Sequence, residues 1–146
     1  MLAILLPLFL STSNPCYKVD TVYNYTSIET VGDRNVTFGV KETTEEIASD
    51  NGFQLCETAD KNISVEIVKI ESPEQIVNIV GMQWLKKDYI VKVVITIDGK
   101  SYEEESKKST FLFAALLNVE DNKIPLNKKV FSKTLESALK SAFKKI

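Results

Sequence analysis

The sequence predicts an α+β domain, and three observations carry that prediction. Tyr89, Val91, Val93, Ile95 and Ile97 alternate without error up to Asp98-Gly99, the pattern of a strand running into a hairpin turn. Residues 128–145 repeat apolar pairs at every fourth position, the period of an amphipathic helix. Upstream, stretches rich in β-branched and aromatic residues flank a second helical pattern between residues 36 and 47.

Taken in order, residues 1–10 are almost wholly apolar, and Ser-Thr-Ser-Asn-Pro-Cys follows, ending at Cys16. This is the layout of a secretory signal, too short for a membrane-spanning helix of roughly 20 residues. No Lys or Arg precedes Lys18, so a buried first strand with Pro7 at an edge is the competing reading. The expected division is an export signal over residues 1–15 and one α+β domain over 16–146. A lipid anchor at Cys16 would need an aliphatic residue three places earlier, where Ser13 stands, and a small residue next to it, where Pro15 stands.

Tyr17, Val19, Val22, Tyr23, Tyr25 and Ile28 mark a strand that Val31-Gly32-Asp33 breaks. Asp33 or Asn35 can cap a helix whose apolar positions are Val36, Val40, Thr44 and Ile47, stopped by Asp50-Asn51-Gly52. Residues 36–40 also alternate, so the first turn of that helix competes with a strand. Strand character returns from Phe53 to Ile70. Ile63, Val65 and Ile67 share one parity and Val68 and Ile70 the other, the sign of a bulge or of burial on both faces. Ser72-Pro73 interrupts, and residues 76–80 extend briefly before Gly81. The Asp98-Gly99 turn pairs Ile97 with Lys100 and thereafter residues whose numbers sum to the same total, so Lys92 faces Glu105 and Tyr102 faces Ile95. The second strand, rich in Lys, Glu and Ser, has the composition of a protected sheet edge. Residues 110–118 form an apolar run read as a short helix or a packed loop. Asn127 is placed to cap the last helix, with Val130/Phe131, Thr134/Leu135, Ala138/Leu139 and Ala142/Phe143 turned to the sheet and lysines opposite.

Composition narrows function. Hydrophobic content of 44% and charge of 26% suit an ordinary globular domain. Net charge is only −2, so no overall field draws nucleic acid, and none is expected as a partner. Residues 1–75 hold 5 basic and 12 acidic side chains and residues 76–146 hold 13 and 8, so an anionic partner would meet the C-terminal half. Histidine is absent, which removes the commonest general base, the Ser-His and Cys-His pairs and most zinc geometries. No catalytic residue, metal site or cofactor is expected. Cys16 and Cys56 form one disulfide after export, or Cys16 is acylated and Cys56 is left a buried thiol.

Two clusters remain. Glu103, Glu104 and Glu105, like Glu42 with Glu45 and Glu46, lack a calcium-type loop and read as solvated edges. The hairpin register brings Lys107 and Lys108 beside Lys86 and Lys87, with Trp84 adjacent. Four ammonium groups and an aromatic can grip an anionic amphiphile, such as the phosphates of a lipid; the alternative is a charged sheet end with Trp84 packed inward. Three Asn-X-Ser/Thr triplets, at Asn24, Asn35 and Asn62, match the glycosylation pattern and nothing else in the chain points that way.

The order of elements, an export signal ending at Cys16-Tyr17, a strand with Thr21-Val22-Tyr23, a helix, further strands, a hairpin and a closing amphipathic helix, resembles the LptE-type lipopolysaccharide-assembly lipoproteins. The resemblance runs from Cys16 to Ile146. It implies a mostly antiparallel four-stranded sheet with two helices packed on one face. It also implies a lipid anchor at Cys16, a place on the periplasmic side of the outer membrane, and an outer-membrane β-barrel partner of LptD type that the protein plugs. The chain departs from that family in its residues before Cys16 and in Lys18-Val19 after it, and no further ligand residue carries over. Auxiliary lipoproteins of lipid-transport ABC systems and a surface adhesion domain are the competing classes.

Overall fold

The computed structural model describes residues 15–113 and 126–146. The expected export segment lies outside the described residues apart from Pro15, and so does most of the apolar run 110–118. The described elements are β1 (Cys16–Asn24), β2 (Thr30–Val31), β3 (Arg34–Asn35), α1 (Val40–Asp50), β4 (Gln54–Leu55), β5 (Lys61–Glu71), β6 (Glu74–Ile79), β7 (Met82–Ile97), β8 (Lys100–Phe113) and α2 (Lys128–Phe143).

The class is α+β with two helices, but the expected four-stranded antiparallel sheet is corrected. The main sheet has six strands of mixed direction, in the order β4-β1-β5-β7, with β6 and β8 also on β7. β1 runs parallel to both β4 and β5. The chain leaves β1, crosses through α1 and returns beside it, and such a crossover lays strands parallel. Sequence signals report local hairpins far better than crossovers, which is why the parallel half went unread.

The other half is a meander of three long strands. β8 follows β7 from Ile97↔Lys100 to Trp84↔Phe113 without a slip, the register read from the sequence. On the opposite edge, β5 pairs with β7 from Ile63↔Ile97 to Glu71↔Ile90, and β6 continues the same lane from Glu74↔Lys87 to Ile79↔Met82. Pro73 has no N–H and interrupts this lane, yet its carbonyl still accepts from the Asp88 N–H at 3.0 Å. The change of parity in β5 is a bulge between Ile67 and Lys69, and the buried side chains step from Ile63, Val65 and Ile67 to Ile70.

α1 starts at Val40, one turn later than the periodicity suggests. Asn35 does not cap it; its Oδ1 accepts from the N–H and hydroxyl of Thr37 at 2.9 and 2.8 Å, a local turn that competes with helix. Gly39, at φ 72°, admits the chain to the helix. Val36 is buried all the same, so it imitates the helical period from outside the helix. The stop at Asn51-Gly52 is as read, with Gly52 at φ 87°. Asn127 caps α2 by accepting from the N–H groups of Lys129 and Val130 at 3.0 and 3.2 Å.

Both helices feed one core. Phe131, Leu135, Ala138, Leu139 and Phe143 of α2 and Val40 and Ile47 of α1 meet Tyr17 and Val19 of β1, the buried residues of β5, and Tyr89, Val91, Val93, Ile95 and Ile97 of β7. Burying an aliphatic side chain of this kind stabilises the fold by about 1.5–3 kcal/mol. Cys16 is joined to Cys56 with a Cα–Cα distance of 5.7 Å. The reading of Cys56 as a lone thiol is therefore corrected. In this paired state the Cys16 sulfur has no valence left for a lipid thioether. Closing a loop of 40 residues is worth about 2–4 kcal/mol.

Candidate functional site

The sixteen residues of β7 span roughly 50 Å at about 3.4 Å per residue. The helices cover the half that ends at Ile97, near Cys16. The half that starts at Met82 has β6 on one side and the end of β8 on the other, and from Lys86 to the turn its side chains are partly or fully exposed; these three strand ends form a blade.

Alternation decides where the predicted lysines point. Tyr89, Val91, Val93, Ile95 and Ile97 face the helices, and Lys87 shares their parity. Trp84, Lys86 and Asp88 face the other way. Cross-strand partners share a face, so Lys108, opposite Tyr89, sits on the helix side and Lys107, opposite Ile90, on the open side. The expected cluster of four ammonium groups is thus corrected to a band along the strands, two lysines on each face, with Lys107 and Lys108 level with Ile90 and Tyr89 and not with Lys86 and Lys87. A count of register alone put them together; parity separates them.

Each face holds its lysines differently. On the open side Asp88 takes Lys107 at 3.0 Å and Lys86 at 3.5 Å, and the Ser109 hydroxyl donates to it at 2.5 Å. The Ser109 hydroxyl, and then Lys107, hold the Asp88 carboxyl below the ordinary aspartate value of 3.8 against the opposing effect of desolvation. On the helix side Lys87 is buried and paired with Glu74 at 2.7 Å, while Lys108 is half-buried. Trp84 is half-buried with its ring centroid 5.3 Å from that of Phe113. Its Nε1 is buried without a hydrogen-bond partner among the described residues.

Beyond the band lies a feature that the sequence reading missed. Residues 75–85 contain no charge, and neither do 109–113. They build the end of the blade, where Ile76, Ile79, Val80 and Met82 are exposed beside Phe111 and Leu112. The turn is Val80-Gly81, with φ of 50° and 74°, a conformation that favours Asn, Asp and Gly. Valine there hid the hairpin. The available signal was eleven uncharged residues in a row within a chain that is 26% charged.

The Glu103, Glu104 and Glu105 cluster is a set of ion pairs. Lys92 bonds Glu103, not the Glu105 that faces it, because Glu105 is taken by Lys69 at 3.3 Å; Glu104 reaches Lys145 of α2. Among the described residues no group of three His, Cys, Asp or Glu is placed to hold a metal ion. No helix among them is long and apolar enough to cross a membrane. A cavity of about 220 Å³ opens where α1 and α2 begin, lined by Val36, Phe38, Phe131 and Leu135 with Arg34 and Lys128 among its polar residues.

No protein-family model and no curated protein matches the chain. Among solved structures it is similar to a minor lipoprotein from Acinetobacter baumannii, at 12% identity over 90% of this chain and 88% of that one, with a TM-score of 0.41. It is also similar to the hypothetical protein CT253 from Chlamydia trachomatis, at 10% identity over 92% and 94%, TM-score 0.40. A third is the rare lipoprotein B from Shewanella oneidensis, at 10% identity over 88% and 89%, TM-score 0.39. A likeness at this level assigns no function.

Proposed function

We propose that this chain is an exported, non-catalytic module of outer-membrane lipid assembly that works by contact on the periplasmic side of that membrane. In this reading it grips anionic lipid, lipopolysaccharide included, and acts with a β-barrel partner, as the LptE-type lipoproteins it resembles do. The observation that carries the reading is the band formed by Lys86, Lys107 and Lys108, with Lys87 buried among them, behind an uncharged, apolar blade end. Charge beside apolar surface is the complement of an amphiphile, with head group on one and acyl chain on the other.

The test is Lys107→Glu with Lys108→Glu, residues that lie on opposite faces of one edge strand. Binding to immobilised lipopolysaccharide or anionic lipid should fall about tenfold or more, with the circular dichroism spectrum unchanged. Unchanged binding in that double variant refutes the grip. Recovery of a β-barrel protein with the wild-type chain from solubilised outer membranes is the matching test of the partner.

A further inference from the structure

We infer that the Val80-Gly81 end of the blade inserts shallowly into the surface of an anionic bilayer, with Trp84 at the head-group boundary and the near end of the lysine band, at Lys86, against the phosphates. The inference rests on the reading of that band as a lipid contact and adds to it an apolar wedge and a bilayer as its target.

The first support is Val80 itself. Its side chain is 91% exposed, and it holds φ at 50°, where a β-branched residue is out of place. Asparagine would close the same turn without strain, so an apolar tip is kept against the preference of the backbone. The second support is the order of chemistry along the blade. From the turn inward come Ile79 and Met82, then Trp84 facing Phe113, then Lys86 facing Phe111, then Asp88. Apolar residues, an indole and lysines in that sequence match the acyl region, the interface and the phosphate layer in turn.

Distances agree. Val80 lies four residues beyond Trp84, roughly 13 Å of extended chain. The head-group layer of one leaflet is roughly 5–8 Å thick, so with Trp84 among the head groups the tip passes them into hydrocarbon, and Lys86, two residues further out, reaches back to the phosphates along its long stem. Deeper entry is barred because β6 pairs with β7 alone among the described strands, and the unpaired N–H and C=O groups of its outer edge cannot leave water. The wedge limits its own depth.

Trp84 is the only tryptophan of the chain, so its emission reports the blade directly. The experiment titrates the protein with vesicles of phosphatidylcholine, with and without phosphatidylglycerol, some carrying brominated acyl chains. We expect quenching of Trp84 on vesicles that contain phosphatidylglycerol, and a loss of partitioning of about tenfold in Val80→Asn, which keeps the turn. Absence of quenching in the wild type, or equal partitioning of Val80→Asn, overturns the wedge. So does a dimer in lipid-free solution that Val80→Asn dissolves, since the tip would then serve a second copy of this chain. Lys107→Glu with Lys108→Glu is run in parallel. If that variant loses binding while Trp84 is never quenched, head-group contact stands and only the wedge falls. If the charge reversal changes nothing while quenching persists, the lysine reading falls instead.

Discussion

β7 is closed at each end by a two-residue turn whose backbone is nearly the same and whose chemistry is opposite. Asp98-Gly99 has φ of 52° and 76°, and Val80-Gly81 has 50° and 74°. At the covered end Asp98 tolerates that conformation, accepts from the Tyr17 hydroxyl at 2.8 Å and lies 3.4 Å from Lys61. At the other end Val80 is exposed and makes no such contact among the described residues. Internal contacts explain the first turn completely and the second not at all. A residue that costs the fold something and returns nothing within it is a pointer to what lies outside the molecule.

The contrast between the two halves of β7 can be tested by truncation. Ile95→Ala, at the buried end, should lose about 3 kcal/mol in urea unfolding, while Ile76→Ala in the blade should stay within about 0.5 kcal/mol. Equal losses would mean that the blade is covered in solution. Acid gives the next comparison. Asp98 is held below its ordinary value of 3.8 first by the Tyr17 hydroxyl, and Asp88 likewise by Ser109. A lowered carboxyl contributes stability that is present above its unfolded value and is lost as pH falls through its folded value. Stability should therefore decline as pH drops below about 3.8. Asp98→Asn should flatten that decline, whereas Val80→Asn should leave its shape alone. The smallest effect is the most pointed: Val80→Asn should raise stability by about 1 kcal/mol by removing left-handed strain, read from the urea midpoint. A loss there would give Val80 an internal role and remove the argument for an external one.

What the sequence disclosed follows the reach of each signal. The hairpin register came from Asp98-Gly99, because that dipeptide fixes both turn and pairing within two residues. The bulge in β5 and the Asn127 cap are equally local, and both were legible. The parallel pairing of β1 was not, since it depends on a crossover of some forty residues with no local mark. α1 was displaced by a turn because Val36 is buried for reasons of tertiary packing while mimicking helical spacing. The lysines were found, but their division between two faces needed the parity of both strands along with their register. The apolar blade end was overlooked because Val80-Gly81 is an unusual choice for its turn, and the same unusual choice makes it informative.

The position of β1 has a consequence for how the chain matures. It is the first of the described strands to be made, yet it lies inside the sheet, between two neighbours that come later. Its longer neighbour ends only at Glu71, so β1 lacks its main partner until about half of the protein has been synthesised. The meander of residues 61–113, in contrast, closes through short turns and needs nothing from upstream. Docking of β1 beside β4 brings Cys16 to Cys56, so the bond between them ties the first strand to the sheet that closes after it.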